Sequence, residues 1–474
     1  MTTVVAAQPD GVVVAAAPGR GGEAGDAAPP AQDLGPGIAG RFPYPTRRFA
    51  AVLAVAAVVP LLMRSGTGLL LVNVGALVLL LVDWALAPRP SRVAIDRYLP
   101  AVVALGTTGR IGWRLHNTTG RTVHVRFSDE LAPSLRAGSR FVTVRLPAHA
   151  EADASTELRP ARRGRFTVSL LTVRVLGPLG LAGRQRVRRR PQVLRVYPSF
   201  RSKKDAELRI DRARILEVGL RSARGRGGGT DFDQLREYSV DDEFRRIDWA
   251  ATARLGKPIV RTFRAERNQT VICLLDNGRV MAGRVAGVPR VEHAMDAVLA
   301  VTTVATRLGD RAGLVAFDRQ VRAVVEPGHT RAQLGRVTEA MYDLQPMLQE
   351  SDYLGAFVET LARFRRRAML VVLTDLVEQA VVESLLPAMP VIARQHLVLI
   401  GAVRDPDVVR WAAERPADAD DVYRQAAALR AIEERRRTVA RLMAAGATVV
   451  DAAPGRLAPA LADAYLDVKA AGRL

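Results

Sequence analysis

Two carboxylates stand where metal or acid–base chemistry would be sought. Asp276 ends the apolar run TVICLLD (Thr270–Asp276), and Asp375 follows Thr374 near the end of AMLVVLTDL (Ala368–Leu376). Acids at the ends of neighbouring parallel strands can share one hard cation, with hydroxyls completing its oxygen shell. The same acids can instead cap loops and bond backbone amides at helix starts. A second dense group lies in DQLREYSVDDEFRRIDWAATAR (Asp233–Arg254), where Arg236, Glu237, Asp241, Asp242, Arg245, Arg246, Asp248 and Arg254 mix both signs at close spacing. Such a set can lace itself together through bidentate arginine–carboxylate pairs. It holds no His and no Cys, Ser239 has no obvious base, and adjacent acids such as Asp241 and Asp242 seldom point together. Catalysis is therefore not expected there. A polar brace is, or a docking surface built on Tyr238 and Trp249, whose rings offer large apolar bodies with one polar handle each. The glycines of RGRGGG (Arg224–Gly229) lack the Gly-Lys-Ser/Thr ending of a phosphate loop and read as a hinge at Gly227–Gly229.

The elements that must position Asp276 and Asp375 occupy residues 266–474. TVICLLD is followed by a helical pattern over Val291–Asp310, a hairpin pattern in RAGLVAFD (Arg311–Asp318) and QVRAVVEP (Gln320–Pro327), and helical segments near Thr330–Leu344 and Asp352–Phe364. Then come AMLVVLTDL, HLVLIGAV (His396–Val403), a long charged helix over Asp420–Gly446, ATVVDA (Ala447–Ala452) and a last helix. Continuous hydrophobic strands alternating with helices predict a mostly parallel α/β sheet covered on both faces. Its ligand site is expected at the strands' carboxyl ends, where both acids fall.

Earlier in the chain the pattern differs. From 91 to 200, RTVHVRF (Arg121–Phe127), RFVTVRL (Arg140–Leu146) and RFTVSLLTVRV (Arg165–Val175) alternate with period two, with turn signals between them. This predicts an all-β sandwich of immunoglobulin-like type. Before it, residues 47–90 hold two apolar runs, Phe49–Met63 and Leu69–Ala87, separated by RSGTG. Two spanning runs joined so closely would form an antiparallel transmembrane helical hairpin. Arg47 and Arg48 before it, with Arg89 and Arg92 after it, place both flanks in the cytoplasm by the charge rule, although Arg64 in the tight loop runs against it. A secretory signal is the competing reading; two runs, preceded by a long segment, argue against it. Asp83, near the end of the second run, is expected close to water and carries no proton path. Residues 1–46, rich in Ala, Gly and Pro without period, predict a disordered tail. Residues 201–265 read as a linker that holds the charged motif.

The chain has 474 residues, a formal charge of +21 and a single cysteine, Cys273, which rules out an intrachain disulfide framework. Lys occurs only at Lys203, Lys204, Lys257 and Lys469, so the basic excess is almost entirely Arg. Aromatics are 5% of the chain and are not interleaved with the basic runs as a base-stacking surface needs, so nucleic acid is not an expected partner. The arginines would suit a position near anionic lipid.

The strand–Asp, then strand–Thr–Asp order resembles the von Willebrand factor A domain, a Rossmann-like α/β fold. That family's adhesion site uses Asp-x-Ser-x-Ser on its first loop, a Thr on a second and an Asp on a third. Here the first loop reads DNGRVM: Asp276 matches the acid, while Gly278 and Val280 stand at the two serine positions. Ser351, in ESDYLGAF, takes the place of the Thr, and Asp375 matches the last acid. The site Asp276, Ser351 and Asp375 is thus degenerate, and the two missing hydroxyls weigh against bound Mg²⁺. A second resemblance is broader. LREYSVDDEFRRIDWAATAR resembles the signature of the bacterial family known as domain of unknown function 58, through Leu235, Arg236, Tyr238, Asp241, Asp242, Arg245, Ile247, Asp248, Trp249, Ala251, Ala253 and Arg254. RPARRGRFTVSLLTVRVLGPLGLAGR (Arg159–Arg184) resembles the same family's β segment. The resemblance implies a non-enzymatic adaptor in the inner (plasma) membrane, two-pass, with cytoplasmic N- and C-termini. Its implied partner is a MoxR-type AAA ATPase acting in envelope-protein assembly. The alternative is an outward-facing adhesion module with a metal-dependent A domain. No certain cofactor is implied, and oligomeric state is left open.

Overall fold

A computed structural model describes residues 42–58, 66–211, 213, 231–239, 242, 244–264 and 269–471, together with the strands Val13–Ala16 and Gln32–Asp33. The Gly227–Gly229 hinge lies outside the described residues. The chain divides into two compact units, Met1–Tyr197 and Pro198–Leu474.

The first unit is a β-sandwich with helical segments attached. One sheet runs in the order Val13–Ala16, Glu151–Leu158, Gly109–Asn117, Val93–Tyr98. The other is built on Ala182–Tyr197, Gly164–Leu176, Val123–Asp129 and Phe141–Leu146, with short strands added at Gln32–Asp33, Tyr44–Pro45 and Val102–Ala104. Period-two sequence becomes period-two burial: alternate residues of Val93–Tyr98 and Phe141–Leu146 enter one core. There Ile111, Trp113 and Leu115 of the first sheet meet Val125, Phe127 and Val173 of the second. Asp129 is buried in this core, accepts from Trp113 Nε1 (2.8 Å) and pairs with Arg97 (2.8 Å). Burial pushes its carboxyl above the ordinary range, and the Arg97 charge opposes that shift. Within the segment expected to be disordered, three short strands join these sheets: Val13–Ala16 pairs with Glu151–Leu158, while Gln32–Asp33 and Tyr44–Pro45 pair with Ala182–Tyr197.

The arginine run of Ala182–Tyr197 has a local use. Arg188 donates to the carbonyls of Pro90 (2.5 Å) and Val93 (2.8 Å), and Arg190 to that of Ile95 (2.6 Å). Val93–Tyr98 ends its sheet, so these side chains at i and i+2 satisfy carbonyls that an open edge would leave unpaired. Part of the basic excess therefore seals an edge.

Of the two apolar runs, Arg47–Ala56 and Gly66–Leu86 are helical, and residues 59–65 lie outside the described residues. Among the described residues one helical stretch, Gly66–Arg92, is long and apolar enough to cross a membrane. The structure thus supplies one such helix where two were expected. Asp83 also departs from expectation. It is fully buried, and its carboxylate accepts from the backbone N–H groups of Leu179 (2.8 Å), Leu181 (2.7 Å) and Ala182 (2.8 Å). Arg184 then donates to the Trp84 and Ala85 carbonyls, which the helix end leaves free. Helix and sandwich thus fall within one compact unit.

The second unit centres on a six-stranded sheet in the order Val321–Gly328, Arg311–Phe317, Thr270–Asp276, Met369–Leu373, Leu397–Val403, Ala447–Ala452. All pairs are parallel except the Arg311–Phe317/Val321–Gly328 hairpin. The strands Thr270–Asp276 and Met369–Leu373 are buried almost end to end, because hydrophobic clusters cover both faces. Chain order reverses between these two strands, which makes the crevice above them the topological switch point. The segment expected as a linker from 201 belongs to this unit. Ala206 and Ile210 enter its core, Ser202 donates to Asp296 (3.0 Å) and Arg209 pairs with Asp463 (2.6 Å).

Candidate functional site

Asp276 ends its strand at the switch point and is fully buried. Its carboxylate accepts from Ser351 Oγ (2.5 Å), Thr374 Oγ1 (2.6 Å), Tyr353 OH (2.8 Å) and Gly278 N–H (2.8 Å). Burial raises its pKa above the ordinary carboxylate value, with the hydroxyl donors pulling the other way. Burial and the neighbouring Asp276 charge also hold the Tyr353 phenol well above its ordinary value. Each donor has a local reason to be there. Thr374 is the first residue after Met369–Leu373. Tyr353 opens the helix Tyr353–Arg363, whose N-cap Asp352 accepts from Gly355 N–H (2.9 Å). Phe317 and Phe357 pack edge-on against the Tyr353 ring and fix its direction.

Asp375 faces other partners. Arg435 (3.0 Å) and Arg290 (3.0 Å) bracket its carboxylate. The same Arg435 guanidinium grips both oxygens of Asp451 (2.9 and 3.0 Å) and donates to the Val403 carbonyl (3.1 Å). Burial works against the Arg435 charge, but Asp451 and Asp375 outweigh it and raise its pKa. One side chain so ties the carboxyl ends of three strands together.

The structure thus brings Asp276 and Ser351 together and commits Asp375 to arginines. A capping role is found for Asp276, through Gly278 N–H, while Asp375 is an ion-pair partner. These residues do not fit a divalent cation. A Cβ built on Gly278 would lie 2.0 Å from Ser351 Oγ, so the Ser351 hydroxyl fills the place of a first-loop serine side chain. Among the described residues no group of three His, Cys, Asp or Glu side chains is arranged to hold a metal. Tyr353 and Arg435 went unrecognised in the sequence. Tyr353 lies two residues after Ser351 and was legible as a neighbour, whereas nothing singles out Arg435 within an arginine-rich helix.

Beside this cluster is a small cleft of about 30 Å³, lined by Arg279, Ser351, Tyr353, Val377, Glu383 and Ser384. One wall includes a π-helical turn, Val381–Leu385, leading into a helix that carries Pro387 and Pro390. Pro387 cannot donate to the Glu383 carbonyl, and the wider turn accommodates that loss.

The signature motif forms a separate small assembly. Asp231–Glu237 pairs antiparallel with Ile259–Arg264, and the short helix Trp249–Leu255 lies between them in sequence. Asp242 binds Arg236 (2.5 Å) and Ser239 N–H (2.9 Å). Asp248 caps the helix through Ala250 and Ala251 N–H and pairs with Arg261 (2.7 Å), whose hydrogen bond is the main cause of its lowered pKa. Tyr238 is half-buried, and Leu235, Arg245, Ala253 and Arg254 face solvent. Asp241 lies outside the described residues. Trp249 is 60% exposed and stacks edge-on with Phe244, itself 66% exposed, at 5.6 Å. Asp242 and Asp248 are satisfied within this assembly, and the aromatic pair is turned outward.

Residues 234–411 match a family model described as "Protein of unknown function DUF58". The match takes in Asp276, Ser351, Asp375 and the motif from Gln234. The uncharacterized protein Rv1480 of Mycobacterium tuberculosis is 29% identical over 226 residues, which span 43% of this chain and 70% of that protein. The uncharacterized protein Mb1516 of Mycobacterium bovis matches to the same extent. Among solved structures, the CARDB domain of the PF1109 protein from Pyrococcus furiosus is 12% identical, with a TM-score of 0.16, covering 24% of this chain and 90% of that one. WR4, a C. elegans MSP family member, is 8% identical with a TM-score of 0.16, covering 22% and 97%.

Proposed function

We propose that this chain is a non-enzymatic, membrane-anchored adaptor whose α/β domain, of von Willebrand factor A-like type, engages a MoxR-type AAA ATPase in envelope-protein assembly. The carrying observation is the exposed Phe244–Trp249 pair on a motif whose Asp242 and Asp248 are already paired. Exposed aromatics are enriched at protein–protein interfaces, and Trp is among the residues that dominate hot spots. The saturated Asp276 supports binding over turnover, since it offers no free base beside a nucleophile. The strand order, with Asp276 and Thr374 at the switch point, supports the A-like assignment.

The anchor is proposed to be a two-pass hairpin with cytoplasmic termini. Thr46, the N-cap of Arg47–Ala56, and Asp83, near the end of Gly66–Leu86, bind the same turn of the sandwich. Two helix ends meeting on one turn suit an antiparallel pair. The adhesion alternative requires a cation at Asp375, against which Arg290 and Arg435 stand.

Affinity purification from native membranes, with and without ATP, tests the proposal. An AAA ATPase is expected to accompany the wild type. Its recovery should fall about 30-fold for Trp249→Ala, the loss of one ~2 kcal/mol hot spot. Absence of any such ATPase in both conditions overturns the proposal.

A further inference from the structure

Asp83 lies three residues before the end of Gly66–Leu86, and the turn at 177–181 wraps its carboxylate. A Cβ built on Gly177 would fall 2.4 Å from both the backbone and a side-chain oxygen of Asp83, so the turn's backbone lies flush on the helix. In a helix every Cα–Cβ bond tilts toward the N-terminus. Asp83 therefore draws the turn back along the helix toward its apolar stretch. Thr46 fixes the turn a second time, through Oγ1 to the Gly180 carbonyl (2.6 Å) and N–H to that of Leu181 (2.9 Å). So held, Gly180, Leu181 and Ala182 are buried, while Pro178 and Leu179 stand out, Leu179 at 52% exposure.

We infer that this turn is a membrane-contacting foot: Leu179 enters the boundary between lipid headgroups and acyl chains beside the helix. The inference rests on the reading that Gly66–Leu86 crosses the bilayer. At ~1.5 Å per residue this 21-residue helix is about 31 Å long, close to the ~30 Å of a hydrocarbon core. A boundary short of the turn would leave exposed Val82 and Leu86 in water. Lipid is the occupant that the surroundings fit. The tip is apolar, and the helix beside it exposes Leu77, Val78, Leu81 and Val82 as well. Its rim is cationic: Arg47 and Arg48 are exposed, and a Cβ on Gly180 would lie 3.1 Å from the Arg48 guanidinium. Half-buried Trp84, under the Arg184 guanidinium at 5.2 Å, adds an aromatic at the same level.

The chain suits a depth measurement. Its sole cysteine, Cys273, is buried, with its thiol pushed up to about 12 by that burial, so introduced cysteines label selectively. Leu179→Cys, Leu77→Cys and Arg140→Cys would each be made in the full chain, labelled with an environment-sensitive fluorophore, and reconstituted in phosphatidylcholine–phosphatidylglycerol vesicles carrying a shallow acyl-chain nitroxide. Arg140 is the aqueous control. Val125 pairs with Val175 and Asp129 with Leu171, so the loop that ends at Arg140 lies at the end of the sandwich away from the turn. With residue 179 lying ~5–10 Å into the boundary, its label should be quenched about twofold and that at 140 unchanged. Quenching at 77 with none at 179 overturns the inference and leaves the spanning helix intact. No quenching at either overturns the spanning reading and the inference with it.

Discussion

Replacing Asp83 by Ala removes the carboxylate that receives three backbone N–H groups, those of Leu179, Leu181 and Ala182, at 2.7–2.8 Å. Leu181 and Ala182 are buried, and water has no ready route to their amides. A hydrogen bond to a charged acceptor contributes ~1.5–3 kcal/mol, and a buried donor left unpaired costs ~1–3 kcal/mol. The three share one acceptor, so their losses overlap, and a total of about 3–6 kcal/mol is expected. Asp83→Asn keeps one acceptor oxygen but turns an amide donor toward other donors, and should lose most of the same amount. Gly177→Ala places a methyl on Asp83 and should act through the same contact, so the double variant should be far from additive. Hydrogen exchange of the peptide spanning 177–183 in detergent-solubilised protein is the assay. At 1.36 kcal/mol per decade, exchange in Asp83→Ala should accelerate at least about a hundredfold. Unchanged exchange in both Asp83→Ala and Asp83→Asn would refute the anchoring role.

Three further outcomes concern the α/β domain. Because burial raises the folded-state pKa of Asp276, its contribution is greatest below the ordinary carboxylate pKa of about 3.9 and declines as pH rises through the raised value. The stability deficit of Asp276→Asn, read by exchange of the Thr270–Asp276 strand, should therefore widen as pH falls toward about 4; a constant deficit contradicts this. Gly278→Ser should not restore a metal site. Its side chain collides with Ser351 Oγ, costing about 1–3 kcal/mol, and a calorimetric Mg²⁺ titration should show no heat of binding. Arg435→Met leaves Asp375 and Asp451 short of their shared cation and should cost about 3–5 kcal/mol in denaturant unfolding, whereas a cost below 1 kcal/mol would show the bridge to be ornamental.

Elements were more legible than the contacts between them. Thr270–Asp276 and Met369–Leu373 were readable because continuous apolar strands follow from burial on both faces, and Val93–Tyr98 follows the sandwich's period of two. Asp276 and Ser351 were placed in one site by the A-domain resemblance, and the two side chains are hydrogen-bonded. Arg435 was not, because a partner 60 residues away from Asp375 is chosen by the path of a helix and not by local pattern. Asp83 misled for a related reason. An acid near the end of an apolar helix ordinarily meets water, and the glycine-containing turn that excludes water here lies 96 residues downstream. The arginines as a whole suggest a surface near lipid, yet register places Arg188 and Arg190 over carbonyls of an edge strand.

The adaptor role turns on what touches the exposed aromatic pair. A photo-crosslinking amino acid at position 249, activated in intact membranes with and without ATP, would capture the neighbour directly, and mass spectrometry would identify it. The expected result is a nucleotide-dependent adduct with an AAA ATPase, lost when Phe244 is replaced by Asp. An adduct confined to this chain itself, or a turned-over small molecule and no protein, would contradict the adaptor role.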